Sequence, residues 1–134
     1  MSILLHENTL ASYLQTATEL AHIAGETAAG YFRHIDARRK ADGSLVTVAD
    51  ETVDRLICDA LQQRYPDHAV LSEEQRTIYD PNDEFTWVID PIDGTTNFAR
   101  GMTFWGISIG LLHQGDPVVG VIHMPLLRET YSAV

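Results

Sequence analysis

Apolar residues recur along the first part of the chain at Leu10, Leu14, Ala17, Ala21, Ala24, Ala28 and Phe32. Steps of three and four are the period of one helix face, so the stretch predicts an α-helix with Asn8 or Thr9 as its N-cap. The stripe is mostly alanine, which predicts close approach to a neighbouring element. A polar connector, "RRKADGSLVT" (38–47), follows and contains an Asp-Gly turn. The helical period returns at Val53, Leu56, Ile57, Ala60 and Leu61, giving a second helix that stops before Pro66. At its start, Thr47 and Asp50 have the spacing of a capping box. From residue 69 the pattern changes to short apolar runs. "AVLSEE" (69–74) and "TWVID" (86–90) suit strands, separated by the polar loop "QRTIYDPNDE". "FWGISIGLL" and "PVVGVIHM", joined at "HQGD", alternate in the manner of an antiparallel hairpin, and "RETYSAV" reads as a further strand. The expectation is an α+β chain: two N-terminal helices packed on an antiparallel β-sheet, a single domain over 1–134 without repeat or linker. A sheet whose last strand ends so abruptly leaves an unpaired edge or expects more chain. The domain therefore reads as half of a larger fold.

Composition narrows the partners. The 134 residues are 45% hydrophobic and 21% charged, an ordinary globular balance that supports a modest core. The formal net charge of −10 repels a phosphate backbone or an anionic membrane, so neither nucleic acid nor membrane is an expected partner. A small anion would bind only where metal ions or backbone amides reverse the local field. Cys58 is the only cysteine, which rules out an intrachain disulfide and fits a reducing, cytoplasmic setting. The N-terminal "MSILLHENTL" has no basic, then apolar, leader pattern, and no run approaches the 18 apolar residues of a membrane span. His22, His34, His113 and His123 lie at no metal-ligand spacing and read as structural or surface residues, and Cys58 as a small helix residue.

The stretch "WVIDPIDGTTNF" (87–98) concentrates the candidate chemistry. Asp-Pro and Asp-Gly are turn dipeptides and aspartate caps helices, so a simple bend is one reading. Three features go further. Asp90 follows an apolar strand, and a second carboxylate, Asp93, lies three residues on. Two carboxylates about 4 Å apart repel by on the order of 4 kcal/mol at an effective dielectric of 20, so such a pair shares a proton or holds a cation. Gly94, Thr95 and Thr96 suit a short helix start, where backbone amides bind phosphate oxygens. Further acids, Glu73, Glu74 and Asp50, stand at element ends, where active sites are assembled.

These segments together resemble the inositol monophosphatase family of magnesium-dependent, lithium-sensitive sugar phosphatases. "WVIDPIDGTTNF" is similar to the family's metal-binding motif, "LSEEQ" to its upstream Glu-Glu motif, and "KADGSLVTVAD" to its N-terminal Lys and Val-Thr-x-x-Asp segment. The resemblance implies the N-terminal half of a layered α-β-α-β-α fold. It also implies two or three Mg²⁺ ions. Glu73, Asp90 and the Ile92 carbonyl would hold the first, and Asp90 and Asp93 the second. Gly94 and Thr95 amides would grip the substrate phosphate, with Glu73 and Lys40 beside it, while Asp50 and Thr95 orient the attacking water. Glu74 would support from behind. The substrate implied is a small phosphorylated polyol, foremost myo-inositol monophosphate, hydrolysed by metal-activated water; homodimers are the family's usual state. Related members act on 3′-phosphoadenosine 5′-phosphate, fructose bisphosphate or histidinol phosphate. A further metal-binding aspartate of the family, in a Trp-Asp-x-Ala-Ala-Gly-like motif of the C-terminal α/β half, has no counterpart within 1–134. The rival reading is therefore a catalytically incomplete metal-binding or assembly module. A calcium domain is disfavoured because no EF-hand loop spacing is present.

Overall fold

A computed structural model describes residues 6–34, 38–39, 45–75 and 77–134, with the backbone alone for 38–39 and 45–46. The first helix, α1, spans Glu7–Tyr31. It begins one turn earlier than the apolar stripe, and its N-cap is His6, with no side-chain cap bond, rather than Asn8 or Thr9. The alanine stripe does what its pattern predicts. Ala17, Ala21, Ala24 and Ala28 are fully buried, and small side chains there let α1 lie close to the sheet and to α2. The helix α2, Val48–Arg64, starts on the expected capping box: the Thr47 hydroxyl accepts from the Asp50 amide at 3.3 Å, and the Thr47 amide donates to Asp50 Oδ2 at 2.8 Å. Its buried face is rotated from the apolar reading, for it includes Asp50, Asp54 and Cys58 alongside Val53, Ile57 and Leu61.

Strands β1 (Arg38–Arg39) and β2 (Leu45–Val46) pair with each other; the Asp-Gly turn expected between them lies outside the described residues, as does Lys40. The main sheet has the order β3-β4-β5-β6-β7, with β3 Ala69–Ser72, β4 Phe85–Asp93, β5 Gly106–His113, β6 Asp116–Met124 and β7 Glu129–Ala133. Between β4 and β5 a short helix, α3, covers Thr95–Ala99. The β5–β6 hairpin closes on Gln114 and Gly115, both with positive φ, a combination that matches the right-handed strand twist.

The α+β arrangement of two helices on a sheet is as expected, but the sheet is mixed rather than wholly antiparallel. β3 runs parallel to β4, with Ala69 opposite Thr86 and Ser72 opposite Ile89. The segment 73–84 has the length that a return crossover between parallel strands needs, roughly a dozen residues.

One face of the sheet, with Trp87, Ile89, Ile107, Ile109, Leu111, Val119 and Val121, packs beneath α1 and α2 and forms the core. At one end of that core Tyr13, Tyr65, His68 and Phe85 surround Trp87. The Trp87 indole N–H donates to His68 Nδ1 at 3.0 Å, which satisfies the one polar atom of a fully buried ring. The other face of the sheet, where Val88, Ile122 and Tyr131 lie, is exposed. None of the described helices is long and apolar enough to cross a membrane.

Candidate active site

The parallel pairing of β3 and β4 is what assembles the acids. Parallel neighbours end on the same side, so the turn after Ser72 places Glu73 alongside the end of β4, where Asp90 sits. An antiparallel pair would have sent the two to opposite edges. β4 does not stop at Asp90, as the apolar run suggested, but continues to Asp93 through a bulge. Asp90 faces Ser108 and Asp93 faces Gly106, so β4 carries one more residue than its partner there. Pro91 sits in that bulge, where its missing N–H costs no ladder bond. The bulge leaves Asp90 half-buried and Asp93 exposed.

Gly94 then takes the left-handed conformation, φ 94°, as N-cap of α3. Its hydrogen side faces the backbone so closely that a Cβ would stand 3.2 Å from the Phe104 carbonyl oxygen. Glycine at this point lets the chain turn from β4 into a helix whose first amides lack intrahelical partners by construction.

Asp50 and Thr95 come from separate elements, the start of α2 and the start of α3, and meet here. The Thr95 hydroxyl lies 2.8 Å from Asp50 Oδ1 and 3.1 Å from the Ile92 carbonyl, both as acceptors of its proton. Asp50 is nearly fully buried, and its Oδ2 accepts from the Thr47 amide at 2.8 Å and from the Thr47 hydroxyl at 2.6 Å. The helix cap and the site are thus one structure: the bonds that start α2 also fix the carboxylate that receives Thr95.

The electrostatics converge on Asp90. Burial first, and then the carboxylates of Glu73, Asp93, Asp50 and Glu74, push its carboxyl up to about 7. A hollow of about 260 Å³, lined in part by Glu73, Asp90, Thr77 and Ser108, opens beside it on the uncovered sheet face. Among the described residues, however, no three acidic, histidine or cysteine side chains close to metal-ligand distance. Glu73, Asp90 and Asp93 stand within electrostatic range of one another rather than in a closed shell, in keeping with the mutual repulsion of carboxylates. The donor set nevertheless suits a hard divalent cation. It is all oxygen, it includes a backbone carbonyl turned toward Thr95, and its negative charge adds to burial in raising Asp90.

The histidines stay out of this centre. His113 Nε2 is 3.2 Å from Glu84, while His22 and His123 share the Thr130 hydroxyl at 3.3 and 2.8 Å. Cys58 is buried in α2, and burial together with the neighbouring Asp54 pushes its thiol up to about 12, so it is no nucleophile. Asp54 and Gln75 join α2 to the Glu73 turn, a pairing that the sequence pattern does not show although Gln75 closes the "LSEEQ" segment. The available signal was a second acid four residues after Asp50, on a helix face that the fold buries.

Helices on one face of a mixed sheet, with an oxygen-rich acidic centre beside a helix start, make a framework for holding a hard cation and an anion side by side. The chain belongs to the inositol monophosphatase family, whose model matches residues 9–134. It is 37% identical over 129 residues to an inositol monophosphatase of Mesembryanthemum crystallinum, covering 93% of this chain and 48% of that protein. It is 38% identical over 122 residues to a histidinol-phosphatase of Chlorobaculum parvum, covering 90% of this chain and 47% of that one. The solved structure of the Thermotoga maritima IMPase superposes with a TM-score of 0.84 at 30% identity, over 91% of this chain and 48% of its own. The chain thus spans about half the length of the relatives it matches.

Proposed function

We propose that the protein is a magnesium-dependent phosphomonoesterase acting on a small phosphorylated polyol, with myo-inositol monophosphate the foremost substrate. The observation that carries this reading is the 2.8 Å Thr95–Asp50 bond set among the acids around Asp90. The cations, two or three Mg²⁺ held by Glu73, Asp90, Asp93 and the Ile92 carbonyl, would neutralise phosphate charge and lower the pKa of water when bound. The Thr95 hydroxyl donates a hydrogen bond to Asp50, which leaves its oxygen free to accept a hydrogen bond from a water molecule. That water is thereby turned with a lone pair toward phosphorus. Asp50, held on its other oxygen by Thr47, keeps the pair in place without itself moving. The amides at Gly94 and Thr95 orient the phosphate. Lys40 is assigned beside the substrate on the family motif alone. The enzyme is read as a cytoplasmic homodimer.

The test is phosphate release by the full-length protein with magnesium. The panel is myo-inositol monophosphates, histidinol phosphate, 3′-phosphoadenosine 5′-phosphate and fructose bisphosphate. The inositol esters are expected to turn over fastest. Fastest turnover of histidinol phosphate would favour the related specificity, and no turnover of any ester would overturn the enzyme reading. The exposed edge strand β7 favours a second reading, a metal-binding or assembly module without catalysis. Turnover separates the two: an enzyme releases phosphate and loses that activity in Asp93→Asn with its fold kept, whereas a module releases no phosphate even as the wild type.

A further inference from the structure

The face of α2 that carries Asp50 continues into the molecule. Asp54 lies one turn on and Cys58 one turn beyond that, all three buried. Asp54 is 1% exposed, yet no cationic side chain is bonded to it among the described residues. Its Oδ2 accepts instead from the Gln75 side-chain amide at 2.7 Å, and its Oδ1 faces the Cys58 thiol at 3.8 Å. Cys58 keeps its proton and so can act only as the donor of that pair.

Gln75 is the last residue of the turn that follows β3. Its own backbone N–H donates to the Ser72 carbonyl at 3.3 Å, which closes the turn with Glu73 and Glu74 inside it. Gln75 is exposed on its outer side, where it and Asp54 line a polar hollow of about 460 Å³ between α2 and the turn. A buried carboxylate leaning on a neutral amide from a neighbouring segment is costly to retain unless that bond fixes something. What it fixes is the turn on which Glu73 rides.

We propose that Asp54 and Gln75 are positioning residues: their bond ties the Glu73 turn to α2, so that one helix sets both Asp50 and Glu73 against Asp90. Neither residue touches substrate or cation. The inference rests on the phosphatase reading for its consequence, but the tie between α2 and the turn stands apart from it. An amide is the suitable partner, because its N–H donates to the Asp54 carboxylate where a second carboxylate would repel it.

The experiment uses the full-length protein and three variants, Gln75→Ala, Asp54→Leu and Asp54→Asn. Magnesium uptake is followed by calorimetry and turn order by hydrogen exchange at the Gln75 amide. Removing an outer partner of a metal ligand costs roughly 10-fold to 100-fold in affinity, so Gln75→Ala is expected to weaken magnesium binding about 10-fold. Exchange at the Gln75 amide should rise with it. Asp54→Asn keeps an acceptor oxygen for Gln75 and is expected to bind as the wild type does, while Asp54→Leu is expected to behave as Gln75→Ala. Unchanged magnesium affinity and unchanged exchange in Gln75→Ala would overturn the proposal. Should Asp54→Leu not fold, Gln75→Ala decides, since that side chain is exposed. If the wild type neither binds magnesium nor releases phosphate, the phosphatase reading fails. Exchange at Gln75 then still decides the tie, supporting it if faster in Gln75→Ala and overturning it if the same.

Discussion

Asp90 is the residue at which the sequence, the fold and the chemistry meet. Its carboxyl sits near 7, raised by burial and by four other acids, so its folded value lies above its unfolded one. The folded state then holds a proton that the unfolded chain releases at lower pH. Stability of the metal-free protein is therefore full below about pH 4 and falls as pH rises toward about 7, on the order of 2 kcal/mol after solvent screening at this half-exposed group. Denaturant melts of the metal-free protein at a series of pH values check this, and the decline should disappear in Asp90→Asn. The same variant is expected to lose magnesium uptake, so a gain in stability would accompany a loss of function. Thr95→Val tests the other half of the site. It removes the hydroxyl that donates to Asp50 while keeping the shape, and should lower kcat roughly 10²-fold or more with little change in melting temperature. At this scale much was legible. Asp50, Glu73, Asp90, Asp93 and Thr95 stand out by motif and by position at element ends. Asp54 and Gln75 do not, because a lone acid and a lone amide carry no pattern until the fold lays one against the other.

Among the elements, the helices were readable because burial on a helix leaves a period. The alanine stripe of α1 and the Thr47–Asp50 cap of α2 are found where they were expected. The strands were readable as strands, and β5 and β6 as an antiparallel hairpin, but the direction of β3 was not. A short apolar run such as "AVLS" pairs equally well either way, and only the crossover through 73–84 settles that β3 is parallel to β4. The bulge at Asp90–Asp93 was hidden for a similar reason: Asp-Pro reads as the end of a strand, whereas here the strand absorbs the proline as an extra residue. Two glycines show how tightly these elements are fitted. A Cβ on Gly106 would lie 2.8 Å from the His123 carbonyl oxygen of the neighbouring strand, so Gly106→Ala should destabilise by about 1–3 kcal/mol in equilibrium unfolding. Gly94→Ala meets a positive φ as well as the Phe104 carbonyl, and should cost about 1–2 kcal/mol. Because Gly94 sets the first amides of α3, that variant should also raise KM for a phosphomonoester more than it lowers kcat.

At the scale of the 134-residue chain, the formal charge of −10 gives a field that disfavours anionic partners. A ligand that binds the folded state alone adds about 2.7 kcal/mol at 100 times its dissociation constant. Magnesium should accordingly raise the thermal midpoint of the full-length protein, and sodium at matched ionic strength should raise it much less. Calorimetric titration of the full-length protein with magnesium tests the central claim most directly. The account predicts saturable uptake that Asp90→Asn abolishes and Asp93→Asn weakens; no saturable heat in the wild type, or equal uptake in all three proteins, would contradict it.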